Sequence, residues 1–161
     1  METTKTNTTV ITSEELRAHW QGHRGLTRKL IEAFPEQEFF DYSIGGMRPF
    51  ADMVQELLAI AVPGLREIVY GKTEELHEHL EHGKQKAVIL KLWDEATVQI
   101  DELWTKISLE RFHEDILAFG QYEGSVWSTI FYFIDNEIHH RGQAYVYLRS
   151  LGIEPPFFWE R

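Results

Sequence analysis

The chain has 161 residues, 26 of them acidic against 16 basic, for a formal net charge of −10, and it has no cysteine. The charge works against phosphate backbones and anionic membranes as partners, and the missing cysteines exclude disulfides, cysteine-ligated zinc and cysteine nucleophiles. A hydrophobic share of 43% and an aromatic share of 13% describe a chain that packs a real core, most simply as one domain.

Residues 1–11 are polar and threonine-rich, without the apolar segment of a secretory leader, and are expected to be disordered or frayed. No uninterrupted apolar run approaches the roughly 18–20 residues of a membrane helix, so the expectation is a cytoplasmic protein with no membrane partner. Thr12 and Glu15 then form a capping-box pattern, and Leu16, Trp20, Leu26, Leu30 and Phe34 follow at helical spacing until Pro35. "EQEFFDYSIGGMRP" is a connector hinged at Gly45-Gly46, with Pro49 suited to the first turn of the next helix. That second helix runs from Phe50 to about Tyr70, and Pro63 within it is expected to kink or break it near Ile60.

"GKTEELHEHLEHGK" reads as a charged loop with at most a helical turn. A third helix spans Lys84 to Ile107, with Ile89, Trp93, Ala96, Ile100, Leu103 and Trp104 on one face. "SLERFHEDILAFGQYEG" is less regular and admits short extended pieces. Ser125 is a plausible cap for a fourth helix to about Leu151, closed by Gly152 and Pro155-Pro156. Four helices and little strand signal predict an all-α fold, an antiparallel four-helix bundle occupying residues 12–161 as a single domain.

Three groups of histidines invite a metal. His77, His79 and His82 sit in the charged loop, where a rigid frame is lacking and a solvated surface is the simpler reading. His19 and His23 share a face of the first helix, but Trp20 lies between them and Gly22 weakens the helix locally, so an exposed or core-edge pair is the simpler reading. In the fourth helix, Asn136 and His140 lie one turn apart, about 40° around the axis, inside a stripe continued by Phe133, Ala144 and Tyr147. A polar pair in a buried apolar stripe needs partners. Metal coordination supplies them, and so does hydrogen bonding within the pair or to a neighbouring helix.

"NEIHHRGQAYVYLRSLGIEPP" resembles the C-terminal signature of the DinB-like family of metal-binding four-helix bundles, through His140-Arg141-Gly142-Gln143, Leu148-Arg149 and Gly152. "MRPFADMVQELL" and "ILKLWDEA" resemble that family's second and third helices. In the family, three histidines typically hold a divalent metal, one from the second helix and two from an H-x-x-x-H pair on the last. The resemblance places these positions on Glu56, Asn136 and His140, so two of the three histidines are replaced by oxygen donors. It implies zinc, nickel, iron or manganese at Glu56, Asn136 and His140, with Glu137, His139 and Arg141 as the nearest residues to orient the ligands.

Three protein ligands leave coordination positions open for an activated water or a thiolate. The function implied is therefore a metal-dependent hydrolase or a transferase of a low-molecular-weight thiol acting on a small molecule. The alternative is a non-catalytic metal- or small-ligand-binding bundle with a lapsed metal centre. No nucleic acid is expected as a partner despite the family's name. Dimers are common in the family, which suggests a homodimer, while the apolar "PPFFWER" tail could instead dock on its own bundle.

Overall fold

The computed structural model describes residues 9–161; the expectation for residues 1–8 lies outside them. Helix α1 covers Ser13–Ala33, and Thr12 caps it as the pattern predicts: its hydroxyl accepts from the Glu15 amide at 3.1 Å while the Glu15 carboxylate accepts from the Thr12 amide at 2.8 Å. The connector is not wholly irregular, since Pro35 opens a short helix α2, Glu36–Asp41, whose Phe39 and Phe40 are buried. Helix α3 spans Phe50–Tyr70 and continues through Pro63 without a break. Proline removes a single backbone donor there, and the apolar face resumes at once with buried Leu65 and Ile68.

After the loop, α4 runs from Lys86 to Trp104, starting two residues later and ending three residues earlier than the periodicity suggests. The irregular stretch holds a 3-10 turn at Arg111–His113 and an antiparallel hairpin, β1 (Asp115–Ala118) with β2 (Tyr122–Ser125), in which Ala118 faces Tyr122. Helix α5, Val126–Ser150, is capped by the Ser125 hydroxyl. The four long helices α1, α3, α4 and α5 enclose one core whose largest side chains include Trp20, Trp93, Tyr147 and Phe50. The fold is thus all-α, with the short α2, the 3-10 turn and the hairpin added to the four long helices among the described residues.

Two details place the hairpin. Gly64 lets α3 approach α5, because a Cβ there would collide with the Phe133 ring. Phe119 has a positive φ of 54°, a conformation seldom taken by a bulky residue, and its amide donates to both oxygens of the Glu67 carboxylate at 3.2 and 3.0 Å. Glu67 also accepts from the Glu74 amide at 3.2 Å, so one buried carboxylate ties both the hairpin and the 71–85 loop to α3.

Candidate functional site

Glu56 on α3 and Asn136 and His140 on α5 meet between the two helices. Asn136 Nδ2 donates to Glu56 Oε1 at 2.8 Å, and His140 Nε2 lies 3.2 Å from the same oxygen. A fourth group completes the cluster: Arg48, from the connector, pairs its Nη2 with Glu56 Oε2 and stands 3.5 Å from His140 Nε2. The Tyr147 hydroxyl, two stripe positions beyond His140, donates to the Arg48 carbonyl at 2.9 Å and fixes the connector against α5. His140 and Glu56 are largely enclosed, whereas Arg48 keeps 44% of its side chain exposed.

Contact with His140 first, then with Asn136 and Arg48, outweighs burial and lowers the Glu56 pKa to about 2. The carboxylate is therefore ionised at neutral pH. His140 is constrained from one side only. With its proton on Nε2 it donates to Glu56, and with the proton on Nδ1 it accepts from Arg48, but Nδ1 is buried without a partner in either case.

These residues, so arranged, do not fit a divalent metal. The Asn136 amide turns its NH₂ toward the carboxylate, a metal-bound imidazole normally donates its second N–H to an acceptor that Nδ1 lacks, and a permanent cation already balances Glu56. Among the described residues no three His, Asp or Glu side chains gather at one point.

The residues expected to orient this trio lie elsewhere. Glu137 and Arg141 point to α1: the Glu137 carboxylate accepts from Thr27 Oγ1 at 2.6 Å and Trp20 Nε1 at 3.3 Å, with Arg24 at 4.0 Å. Arg141 donates to the His23 carbonyl at 3.1 Å and contacts His23 Nδ1 at 2.8 Å. Burial raises the Glu137 pKa and lowers those of Arg24 and Arg141. His139 is exposed and bonds Gln143. None of the three hydrogen-bonds to Glu56, Asn136 or His140. Of the other histidines, His19 and His23 touch at 3.1 Å, but His23 also meets Arg141 and Arg161, an environment hostile to a cation. His82 stacks on Phe40.

Beside the cluster lies a cavity of about 410 Å³, with Glu56 and Ile60 from α3, Tyr132 and Phe133 from α5, and Phe119 and Tyr122 from the hairpin among its walls. Its size suits a small molecule. Neither Arg48 nor this cavity carries a periodic signal in the sequence, although Arg48 stands inside the "MRPFADMVQELL" motif, directly before the proline that opens α3.

The chain matches the DinB family over residues 1–160, and it belongs to that family. It is 26% identical to the uncharacterised protein YjoA of Bacillus subtilis (strain 168), over 92% of this chain and 97% of that one. Its fold is similar to the crystal structure of a DinB-like protein from Bacillus cereus ATCC 10987, with a TM-score of 0.72 and 15% identity over 91% of this chain and 97% of that one. The YjoA crystal structure gives a TM-score of 0.69 at 18% identity, covering 91% and 99%. A mycothiol-dependent maleylpyruvate isomerase shares the fold at a TM-score of 0.60 and 14% identity, over 83% of this chain and 61% of that one. No helix among the described residues is long and apolar enough to cross a membrane.

Proposed function

We propose that this protein is a cytoplasmic small-molecule-binding member of the DinB family in which Arg48 has taken over the charge-balancing role of a metal. The observation that carries this reading is the Arg48–Glu56 ion pair, set where Asn136 and His140 also converge and reaching the cavity through Glu56. A ligand in the cavity would meet the ionised Glu56 carboxylate, which Arg48, Asn136 and His140 hold from behind the cavity wall. Glu56, with a pKa of about 2, accepts hydrogen bonds and holds no proton at neutral pH.

A second reading is a metal-dependent hydrolase or small-thiol transferase with zinc, nickel, iron or manganese on Glu56, Asn136 and His140. The approach of Asn136 and His140 to Glu56, at 2.8 and 3.2 Å, favours it. It requires Arg48 to swing into solvent and Asn136 to turn its oxygen inward. Metal content by mass spectrometry separates the two, on untagged protein supplemented with zinc, nickel and manganese. The small-molecule reading expects far less than one metal per chain, unchanged in Glu56→Ala and His140→Ala. Near-stoichiometric metal lost in both variants would overturn it.

We also propose a homodimer, supported by exposed Trp127, Phe131 and Trp159. The final residues do fold back on α1, with Lys29 Nζ donating to the Glu160 carbonyl at 2.9 Å. Sedimentation at two concentrations tests the dimer, and a monomer mass at both would refute it.

A further inference from the structure

The small-ligand reading leaves open what the cavity selects. Its walls divide into two parts. The inner part is apolar, with Ile60 and Phe133 from the facing helices and Phe119 from the hairpin. The outer part carries the Glu78 and Glu123 carboxylates and the Tyr122 and Tyr132 rings, both tyrosines more than half exposed. Lysine, arginine and histidine are absent from the lining among the described residues. Glu78 and Glu123 have no ion-pair partner among the described residues, in contrast to Glu56, whose charge is met by Arg48. The entrance therefore carries uncompensated negative charge beside two electron-rich ring faces. An organic cation with an apolar body matches both parts, since aromatic faces and carboxylates attract it together.

The cavity is built rather than incidental. Phe119 reaches its wall only by adopting a positive φ of 54°, a conformation held by its amide's bonds to buried Glu67. The same carboxylate holds the loop that carries Glu78, and the Leu80 amide of that loop donates to Gln55 Oε1 of α3 at 2.9 Å. Both acidic walls are thus pinned to one helix. The surroundings of Tyr132 agree: burial, then Glu56, Tyr122 and Glu78, push its hydroxyl pKa upward, as expected of a phenol facing a negative pocket.

We propose that this cavity binds a small organic ammonium ion, with the apolar body against Ile60, Phe119 and Phe133 and the charged end between Tyr122, Tyr132, Glu78 and Glu123. This inference rests on the small-ligand reading above and adds the sign of the ligand's charge.

The test is calorimetric titration of the full chain at neutral pH with benzylamine and benzyltrimethylammonium, beside benzyl alcohol and benzoate as uncharged and anionic counterparts. The expectation is that both cations bind at least about tenfold more tightly than benzyl alcohol, and that benzoate does not bind. The double variant Glu78→Gln/Glu123→Gln should lower cation affinity by about tenfold and leave benzyl alcohol unchanged. The matched pair Glu95→Gln/Glu102→Gln, on exposed α4 positions away from the cavity, should change neither, which separates the pocket from the general attraction of an acidic protein. Benzyl alcohol or benzoate binding as well as the cations would overturn the inference while leaving the small-ligand reading intact. Equal losses in the two double variants would overturn it as well, and binding by none of the four probes would count against both.

Discussion

Replacing Glu56 by Gln removes one negative charge and leaves the shape of the cluster nearly unchanged. The carboxyl moves from an ordinary value of 4.5 to about 2 in the folded protein, through His140, Asn136 and Arg48. A shift of that size corresponds to an upper bound of about 3 kcal/mol. Solvent reaches the pair through Arg48, 44% exposed, and screening reduces the net contribution to about 1–2 kcal/mol. The sign follows from the lowered pKa. Above about pH 5 both folded and unfolded chains are ionised and the stabilisation is complete; it is lost as pH falls from about 4.5 through about 2, where the folded form must also take up the proton. Urea unfolding of wild type and Glu56→Gln at pH 7 and pH 3 measures it. The wild type should be more stable by about 1–2 kcal/mol at pH 7, with the gap reduced to less than half at pH 3. Equal stabilities at pH 7, or a gap that does not shrink with acid, would refute the placement of an ionised Glu56 among these partners.

Gly64→Ala should destabilise by about 1–3 kcal/mol in urea despite alanine's better helix propensity, because its Cβ meets the Phe133 ring; a neutral or stabilising result would refute that contact. Arg24 lies 4.0 Å from buried Glu137 and 3.9 Å from the centre of the Trp93 ring, so Arg24→Met should cost about 3–5 kcal/mol by stranding the carboxylate. Adding Glu137→Met should recover part of that loss, and a double variant no more stable than Arg24→Met would argue against the pair. Burial first, then Arg141 and Arg161, lower the His23 pKa to about 3. The unfolded chain then binds a proton the folded chain refuses, so His23 subtracts stability as pH falls from about 6.5 toward 3. NMR titration should show a neutral His23 ring at pH 5, and a midpoint above 5 would contradict its environment.

Much of the bundle was legible because helix signals are local. Thr12, Glu15 and Ser125 name their own caps within three residues, and the stripe through Phe133, Asn136, His140, Ala144 and Tyr147 needs only the helical period to place it toward the core. The resemblance added Glu56, which no periodicity singles out from the other residues of an almost wholly buried helix. Where local rules misled, packing was the reason. Pro63 withholds one hydrogen bond from a helix that the surrounding core keeps continuous through it, and the short α2 forms because Phe39 and Phe40 have a core to enter.

Glu137 and Arg141 show the limit of reading one stripe. Helix α5 packs against α1 as well as α3, so a residue that leaves one buried face enters another. A single helix wheel cannot say which neighbour receives it. Only the assembled bundle turned Glu137 toward Trp20 and Thr27 and away from His140. Arg48 is the sharper case: 92 positions from His140 along the chain, in a glycine hinge without periodicity, it reaches the cluster because Tyr147 holds its backbone. The sequence by itself determined the four long helices, the caps of α1 and α5 and the inward polar pair, since each depends on neighbours a few residues away. The tertiary structure decided which charge faces that pair and what closes over it, since those depend on segments brought together only when the chain folds.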